Sequence, residues 1–256
     1  MQMRPPVEPS PLSRDLVDRG GNGSPVRIHK PSLKGVPFQS DGGGPVQLLS
    51  ERQRLQLGAL ATELRLPTRT AVYSEESPAE WVFIVRQGVL KSYRELANGK
   101  RVITAFLFPD DMFGLAEAGR YVNSIKALTP VTLYRFRMTE LADMLRRDAG
   151  LEFQFLCKVT HELRQSQRQL LALSRRHALG RLAMFLHLLQ QRNSVDATTI
   201  DIPMSRADTA SYLGLSAEAV TRACSKLQKS GIVGFTGTHA ARVVSQVKFD
   251  RLVAGD

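Results

Sequence analysis

The stretch that most constrains this 256-residue chain is Ile202–Val244, where two short helices are bounded by residues that start and stop helices. Ser205 precedes Arg206-Ala207-Asp208, so its hydroxyl can cap a helix, with Asp208 in the place of a capping-box acid. That helix is expected to run to Leu213 and to stop at Gly214, which tolerates a left-handed turn. Leu215 fills the turn. Ser216 then caps a second helix, AEAVTRACSKLQKS, which ends at Ser230-Gly231. Two capped helices across a short turn containing glycine form a helix-turn-helix pattern.

On a helical wheel Ala219, Val220, Ala223 and Leu227 share one side, which we expect to be buried. Glu218, Thr221, Arg222 and Ser225 share the other. Their chemistry suits the edges of base pairs: Arg donates two hydrogen bonds to guanine, Glu accepts from the cytosine amino group, and a Thr methyl packs on a thymine methyl. Glu218, Thr221 and Arg222 are therefore the base-reading candidates. Ile232–Phe235 and Arg242–Ser245 read as two β runs across a turn, a wing beside the second helix. Ser205, Ser216, Ser225, Lys226, His239 and Arg242 are the phosphate-contacting candidates, with Lys229 beside them. The competing reading is an ordinary helical hairpin with a solvated charged face.

The charge distribution supports a polyanionic partner such as double-stranded DNA. Net charge is +11, and the part from Cys157 onward contributes +7 of it, with 14 Lys/Arg against 7 Asp/Glu. Residues 46–156 are almost balanced, 15 against 13. No run approaches the roughly 20 apolar residues of a membrane span. The opening MQMRPPVEPSP lacks the apolar core of a secretory signal, so we expect a cytoplasmic protein without a membrane partner. Two cysteines, Cys157 and Cys224, are too few for a disulfide framework or a zinc site.

Residues 1–45 hold 8 of 13 prolines and 7 of 19 glycines, a composition expected to stay disordered, the alternative being a docking arm. Leu48–Leu66 reads as a helix capped by Ser50. Six β-type runs follow: Thr70–Tyr73, Glu80–Arg86, Val89–Glu95, Arg101–Phe108, Ser124–Leu128 and Val131–Arg137, with Asn98-Gly99 as a hairpin signal and Gly88 dividing two strands. Regularly spaced short strands suggest a small sandwich or barrel. Helical periodicity dominates from Met138 to about Gln191. Within it Leu156, Val159, Leu163, Ser166, Leu170, Leu173 and His177 alternate spacings of three and four, a heptad seam. It reads as a homodimer helix; the alternative is one helix lying on its own barrel.

Three segments carry a family resemblance: VFIVRQGVLKSYRELANGKRVITAFLFPDDMFGL, RQSQRQLLALSRRHALGRLAMFLHLL and MSRADTASYLGLSAEAVTRACSKLQKSGIV. Together they resemble the cyclic-AMP-receptor and fumarate-nitrate-reduction (Crp/Fnr) regulators, over nearly all of residues 46–250. The resemblance implies an α+β chain with three parts. These are, after the tail read from composition (1–45), a cyclic-nucleotide-binding-type β-barrel or jelly roll (46–138), a helical region with the dimerisation helix (139–191) and a winged helix-turn-helix (192–256). It also implies a transcription regulator, more often an activator, with RNA polymerase as a partner, and no enzyme. An acid, two residues, Ser or Thr, then Arg is similar to the Fnr and FixK branches rather than to the cyclic-AMP-receptor branch, which has a further Arg directly before the acid, where this chain has Ala217. Carried onto Glu218, Thr221 and Arg222, this implies a site like TTGAT-N4-ATCAA.

The effector is less directly implied. Nucleotide-binding relatives carry Gly-Glu-Leu and then Arg-Ser or Arg-Thr; here the matching stretch runs Phe113 to Ser124, with no Glu after Gly114 and no such pair. We therefore expect no cyclic nucleotide, with Arg120 the one residue there suited to an anion. An iron–sulfur cluster needs several thiolates, and no cysteine precedes Cys157. Heme held by His161, His177 or His187, or another effector in the barrel, stays open as an alternative. Residues 70–137 contain neither His nor Cys, against a metal enzyme of cupin type. The expectation is no metal and no cofactor. Cys224 is a redox candidate, with Arg222 and Lys226 expected to favour its thiolate, or else a small packing residue.

Overall fold

The computed structural model describes residues 50–116, 118–174, 177–192 and 198–254. The expected tail lies outside them. The chain divides into two compact units, one formed by residues through Gly88 with Pro109–Gln154, the other by Val89–Phe108 with Phe155 onward.

In the first unit, helix α1 (Glu51–Leu60) opens with a full capping box in which Ser50 and Gln53 each satisfy the other's backbone N–H. The expected helix to Leu66 ends early. Thr62–Leu66 is instead strand β1, antiparallel to β8 (Val131–Arg137), with Leu64 opposite Leu133. Alternation of Thr62, Leu64 and Leu66 is the period-two signal, which the preceding leucines masked. Strand β3 (Trp81–Gln87) lies on the other side of β8 and pairs in turn with the two-residue β6 (Met112–Phe113). A separate pair joins β2 (Ala71–Tyr73) to β7 (Ser124–Ala127). Val82, Val85, Ile125, Leu133 and Phe136 are almost fully enclosed. Gly88 stands where the chain leaves β3 at φ +87°, and a Cβ there would lie 2.3 Å from the Pro130 carbonyl, so only glycine fits. Helix α2 (Met138–Arg147) follows, and Asp148 then caps α3 (Ala149–Ser174) by accepting the Leu151 N–H.

The second unit begins with a hairpin of β4 (Leu90–Glu95) and β5 (Arg101–Leu107), turned at Asn98-Gly99 as expected. Helix α4 (Ala178–Arg192) supplies the core residues Leu182, Ala183, Phe185, Leu186 and Leu189. Around it fold α5 (Arg206–Leu213), α6 (Ala217–Lys229) and α7 (Gln246–Ala254), with a three-stranded sheet ordered β10 (Val233–Thr236), β11 (Ala240–Val243), β9 (Thr199–Asp201). The wing's second strand is Ala240–Val243, earlier than the expected Arg242–Ser245. The register Thr236↔Ala240 sets a tight turn, and β9 on the far side extends the ladder.

The expected seam falls on α3 as far as Leu170. Leu156, Val159, Leu163 and Leu170 are exposed at 61%, 40%, 58% and 67%, an apolar row left uncovered among the described residues. Ser166 is exposed beside them. The side chain of Leu173 lies outside the described residues, as does that of His161. His177 is not on this helix, because α3 ends at Ser174; its carbonyl instead accepts the Arg181 N–H in the first turn of α4. His187, named as a heme candidate, sits in α4 with its ring 6.2 Å from that of Phe249.

Candidate nucleic-acid interface

Both helices of the helix-turn-helix begin on a serine that caps them. Ser205 Oγ accepts the Asp208 N–H at 3.0 Å and Ser216 Oγ accepts the Ala219 N–H at 3.1 Å. Gly214 closes α5 in the left-handed conformation at φ 63°, and its amide returns to the last turn. Arg181 of α4 stabilises that turn by donating to the Leu213 carbonyl at 3.0 Å. The capping box at Ser205 is only half formed. Asp208 turns its carboxylate to Lys91 of β4, at 2.6 Å, a partner the sequence did not reveal.

Helix α6 divides as its wheel requires. Val220, Ala223 and Leu227 are buried, whereas Glu218, Thr221, Arg222 and Ser225 are exposed. The exposed row is not chemically free in every atom. Thr221 donates its hydroxyl to the Ala217 carbonyl, and Ser225 donates to the Thr221 carbonyl. Thr221 can therefore offer a base its methyl and its oxygen lone pairs, but not its proton. The Glu218 carboxyl is held below the usual range by its own backbone N–H and the Ser216 hydroxyl, with Arg222 adding to the effect. It is an ionised acceptor at neutral pH. Arg222 is exposed, with the five donors a guanine edge or a phosphate requires.

Around this row the structure exposes each phosphate candidate. Ser205 and Ser216 stand at the two helix starts, where unpaired N–H groups favour anions. Lys226 and Lys229 lie on the last turn of α6. In the wing, Arg242 sits on the central strand, opposite Gly234 on one side and Thr199 on the other. His239, in the wing turn, has ring Nδ1 3.2 Å from the Ile202 carbonyl, which directs it by a local contact.

Cys224 departs from expectation. It is buried at 6% exposure, and the guanidinium against its sulfur is that of Arg206, not Arg222 or Lys226. Burial pushes the thiol up, and Arg206 offsets this only in part. Arg206 also lies 5.3 Å over the Phe235 ring of β10. It thus touches both the recognition helix and the wing, a role its place at the start of α5 did not advertise.

In the first unit, aromatic side chains pack at the stretch matching a nucleotide cassette. Tyr121 is buried, its ring stacked on Tyr73 at 3.6 Å, while Phe83 stacks on Phe113 at 5.1 Å. The Tyr121 hydroxyl donates to the Trp81 carbonyl at 2.8 Å, and burial pushes its pKa up to about 12, so it stays a neutral donor. Arg120 donates to the Glu76 carbonyl at 2.6 Å. No group of three or more His, Cys, Asp or Glu able to hold a metal occurs among the described residues. No described helix is long and apolar enough to cross a membrane.

Comparison with known proteins agrees with this architecture. Residues 63–148 match the cyclic nucleotide-binding domain, and residues 180–251 match the Crp-like helix-turn-helix domain. The transcriptional activatory protein AadR of Rhodopseudomonas palustris is 30% identical over 199 residues, covering 76% of this chain and 82% of AadR. The nitrogen fixation regulation protein FixK of Bradyrhizobium diazoefficiens is 31% identical over 179 residues, covering 68% and 75%. The solved structure of FixK2 from Bradyrhizobium japonicum superposes with a TM-score of 0.70 at 32% identity, covering 75% of this chain and 96% of that one. The fold is thus α+β, with a cyclic-nucleotide-binding-type β-sandwich, connecting helices and a C-terminal helix-turn-helix. The chain belongs to the Crp/Fnr family, whose members are DNA-binding transcription regulators and not enzymes.

Proposed function

We propose that this chain is a cytoplasmic transcription activator that binds a palindrome like TTGAT-N4-ATCAA as a homodimer and recruits RNA polymerase. The observation that carries the site is the exposed row Glu218, Thr221 and Arg222 on a capped helix whose opposite face is buried. Ser205, Ser216, Ser225, Lys226, His239 and Arg242 surround that row and contact phosphates. The domain limits follow the roles: a tail to residue 45, a sensor-like domain to 138, a dimerisation region to 191 and the DNA-binding domain beyond. Homodimer pairing is supported by the apolar row on α3, which a second copy would cover. Independence from cyclic nucleotide is supported by the buried, stacked Tyr121 and by Arg120, one of whose N–H groups is held by the Glu76 carbonyl.

The test is fluorescence anisotropy of a TTGAT-N4-ATCAA duplex against a scrambled one, at fixed salt, with thiol reductant and no added ligand. Tight selective binding is expected. Equal binding to both duplexes would sink the site reading, and selectivity that appears only with cell extract would favour an effector in the barrel. A second reading, redox control at Cys224, is favoured by the contact chain from its sulfur through Arg206 to the wing. Peroxide would convert the thiolate to sulfenic acid and, with a second equivalent, to sulfinate, placing bulk and charge inside that contact. The raised pKa makes this reaction slow at neutral pH. A Cys224→Ala protein that still loses DNA binding in peroxide would remove the reading.

A further inference from the structure

The β4–β5 hairpin meets α5 through three different kinds of contact. Lys91 Nζ lies 2.6 Å from Asp208 Oδ1, with side-chain exposures of 21% and 16%, so the pair is largely withdrawn from water. Ser211 accepts the Ile103 N–H at 3.0 Å and donates to the Arg101 carbonyl at 3.3 Å. Strand β5 is the edge of its sheet, and one serine thereby satisfies a free donor and a free acceptor of that edge. Beside them Phe106 packs at 4.9 Å from the Tyr212 ring and 5.8 Å from that of Phe185. Asp208, Ser211 and Tyr212 are spaced three and four apart, so a single face of α5 makes all of these contacts.

That face is fixed from outside the DNA-binding region as matched, since Lys91 precedes it by almost 90 residues. Helix α5 in turn constrains where α6 lies, because the two are joined by the short turn at Gly214 and pack on each other, with Ala210, Leu213 and Val220 buried. We propose that Lys91 is a positioning residue for DNA recognition: through Asp208 it holds α5, and thereby sets where α6 presents Glu218, Thr221 and Arg222. This rests on the reading of α6 as the helix that meets DNA. It also explains how a chain of this family can be held ready for DNA without an effector.

A cycle of neutral variants separates this from a general charge effect. Lys91→Met removes a positive charge and Asp208→Asn removes a negative one. If charge alone mattered, the first would weaken DNA binding and the second strengthen it. Positioning requires both to weaken it, by about five- to tenfold, with the double variant no worse than either single one. Lys91→Arg, which keeps the ion pair, should stay within about twofold of the parent by the same reasoning. Amide hydrogen exchange without DNA supplies the second readout: Thr209–Leu213 should exchange faster in both single variants, and Lys91→Arg should restore the parental rate. Affinities that shift in opposite directions, additive losses, or unchanged exchange in α5 each overturn the proposal. The cycle is run on the palindrome and on a duplex the parent selects from a random pool. A parent that ignores the palindrome but binds the selected duplex refutes the site reading alone, and the cycle on that duplex still decides the role of Lys91.

Discussion

At the scale of single residues, the proposed interface assigns discrimination to some side chains and holding to others. Arg222 presents its donors on the exposed row of α6, so Arg222→Ala should cost about 1–3 kcal/mol on the cognate duplex and relax specificity at one base position. Lys226 lies a turn later and is proposed as a phosphate contact. Lys226→Ala should weaken cognate and scrambled duplexes alike and lower the slope of log affinity against log salt by about 1. Anisotropy titrations at several salt concentrations check both, and an Arg222→Ala protein that still discriminates as the parent does would refute the assignment. Cys224 gives a different signature. Its folded pKa is raised, chiefly by burial, so the folded state binds its proton more tightly than the unfolded state does. The resulting stability is complete below the unfolded thiol pKa of about 8.5 and is lost as pH climbs through the folded value. Urea midpoints of the parent should therefore fall relative to Cys224→Ala as pH rises beyond about 8.5, and run parallel to it below. Parallel curves throughout would mean the thiol is not desolvated as the structure has it.

At the scale of elements, Arg206 joins three of them. It starts α5, contacts Cys224 on α6 and stacks over Phe235 on β10. Arg206→Leu keeps much of the packing and removes the guanidinium, so α6 should stay folded while the wing loses its fixed angle. The expected result is a several-fold loss of affinity that is largest for duplexes long enough to meet Arg242, measured with a short and a long version of the same site. An equal loss on both lengths would place the role of Arg206 elsewhere. This contact also shows what could be read in advance and what could not. The two helices were legible to the residue, because Ser205, Gly214 and Ser216 act within one turn of themselves and encode their effect locally. The buried and exposed faces of α6 were legible for the same reason, through a period that needs no partner. Contacts between segments distant in sequence left no such trace: Lys91 stood only within an expected strand, Asp208 only as a capping acid, and Arg206 only as the residue after the Ser205 cap. Strand β1 was missed because Leu64 and Leu66 continue a leucine-rich helical run, and only pairing with β8 decides between the two periods.

At the scale of the whole molecule, the question is what covers the row Leu156, Val159, Leu163 and Leu170 on α3. Four apolar side chains at heptad spacing, each 40% or more exposed, leave a helix without the partner its pattern requires. A second copy supplies an identical row, and two-fold pairing along α3 would bring two recognition helices to one duplex, as a palindrome demands. Linking two half-site contacts raises affinity by about 10²–10⁴ over one contact alone, through effective concentration and with no new bond to DNA. Leu163→Glu places a charge at the middle of that row while touching neither the core nor the DNA-facing residues. It should sediment as a folded monomer, lose affinity for the full palindrome by a factor within that range, and bind an isolated half-site as the parent does at matched protomer concentration. The half-site comparison is decisive, since a misfolded protein would lose both. A variant that remains dimeric would show that α3 is not the seam, and a monomer that binds the palindrome undiminished would show that pairing contributes nothing to recognition.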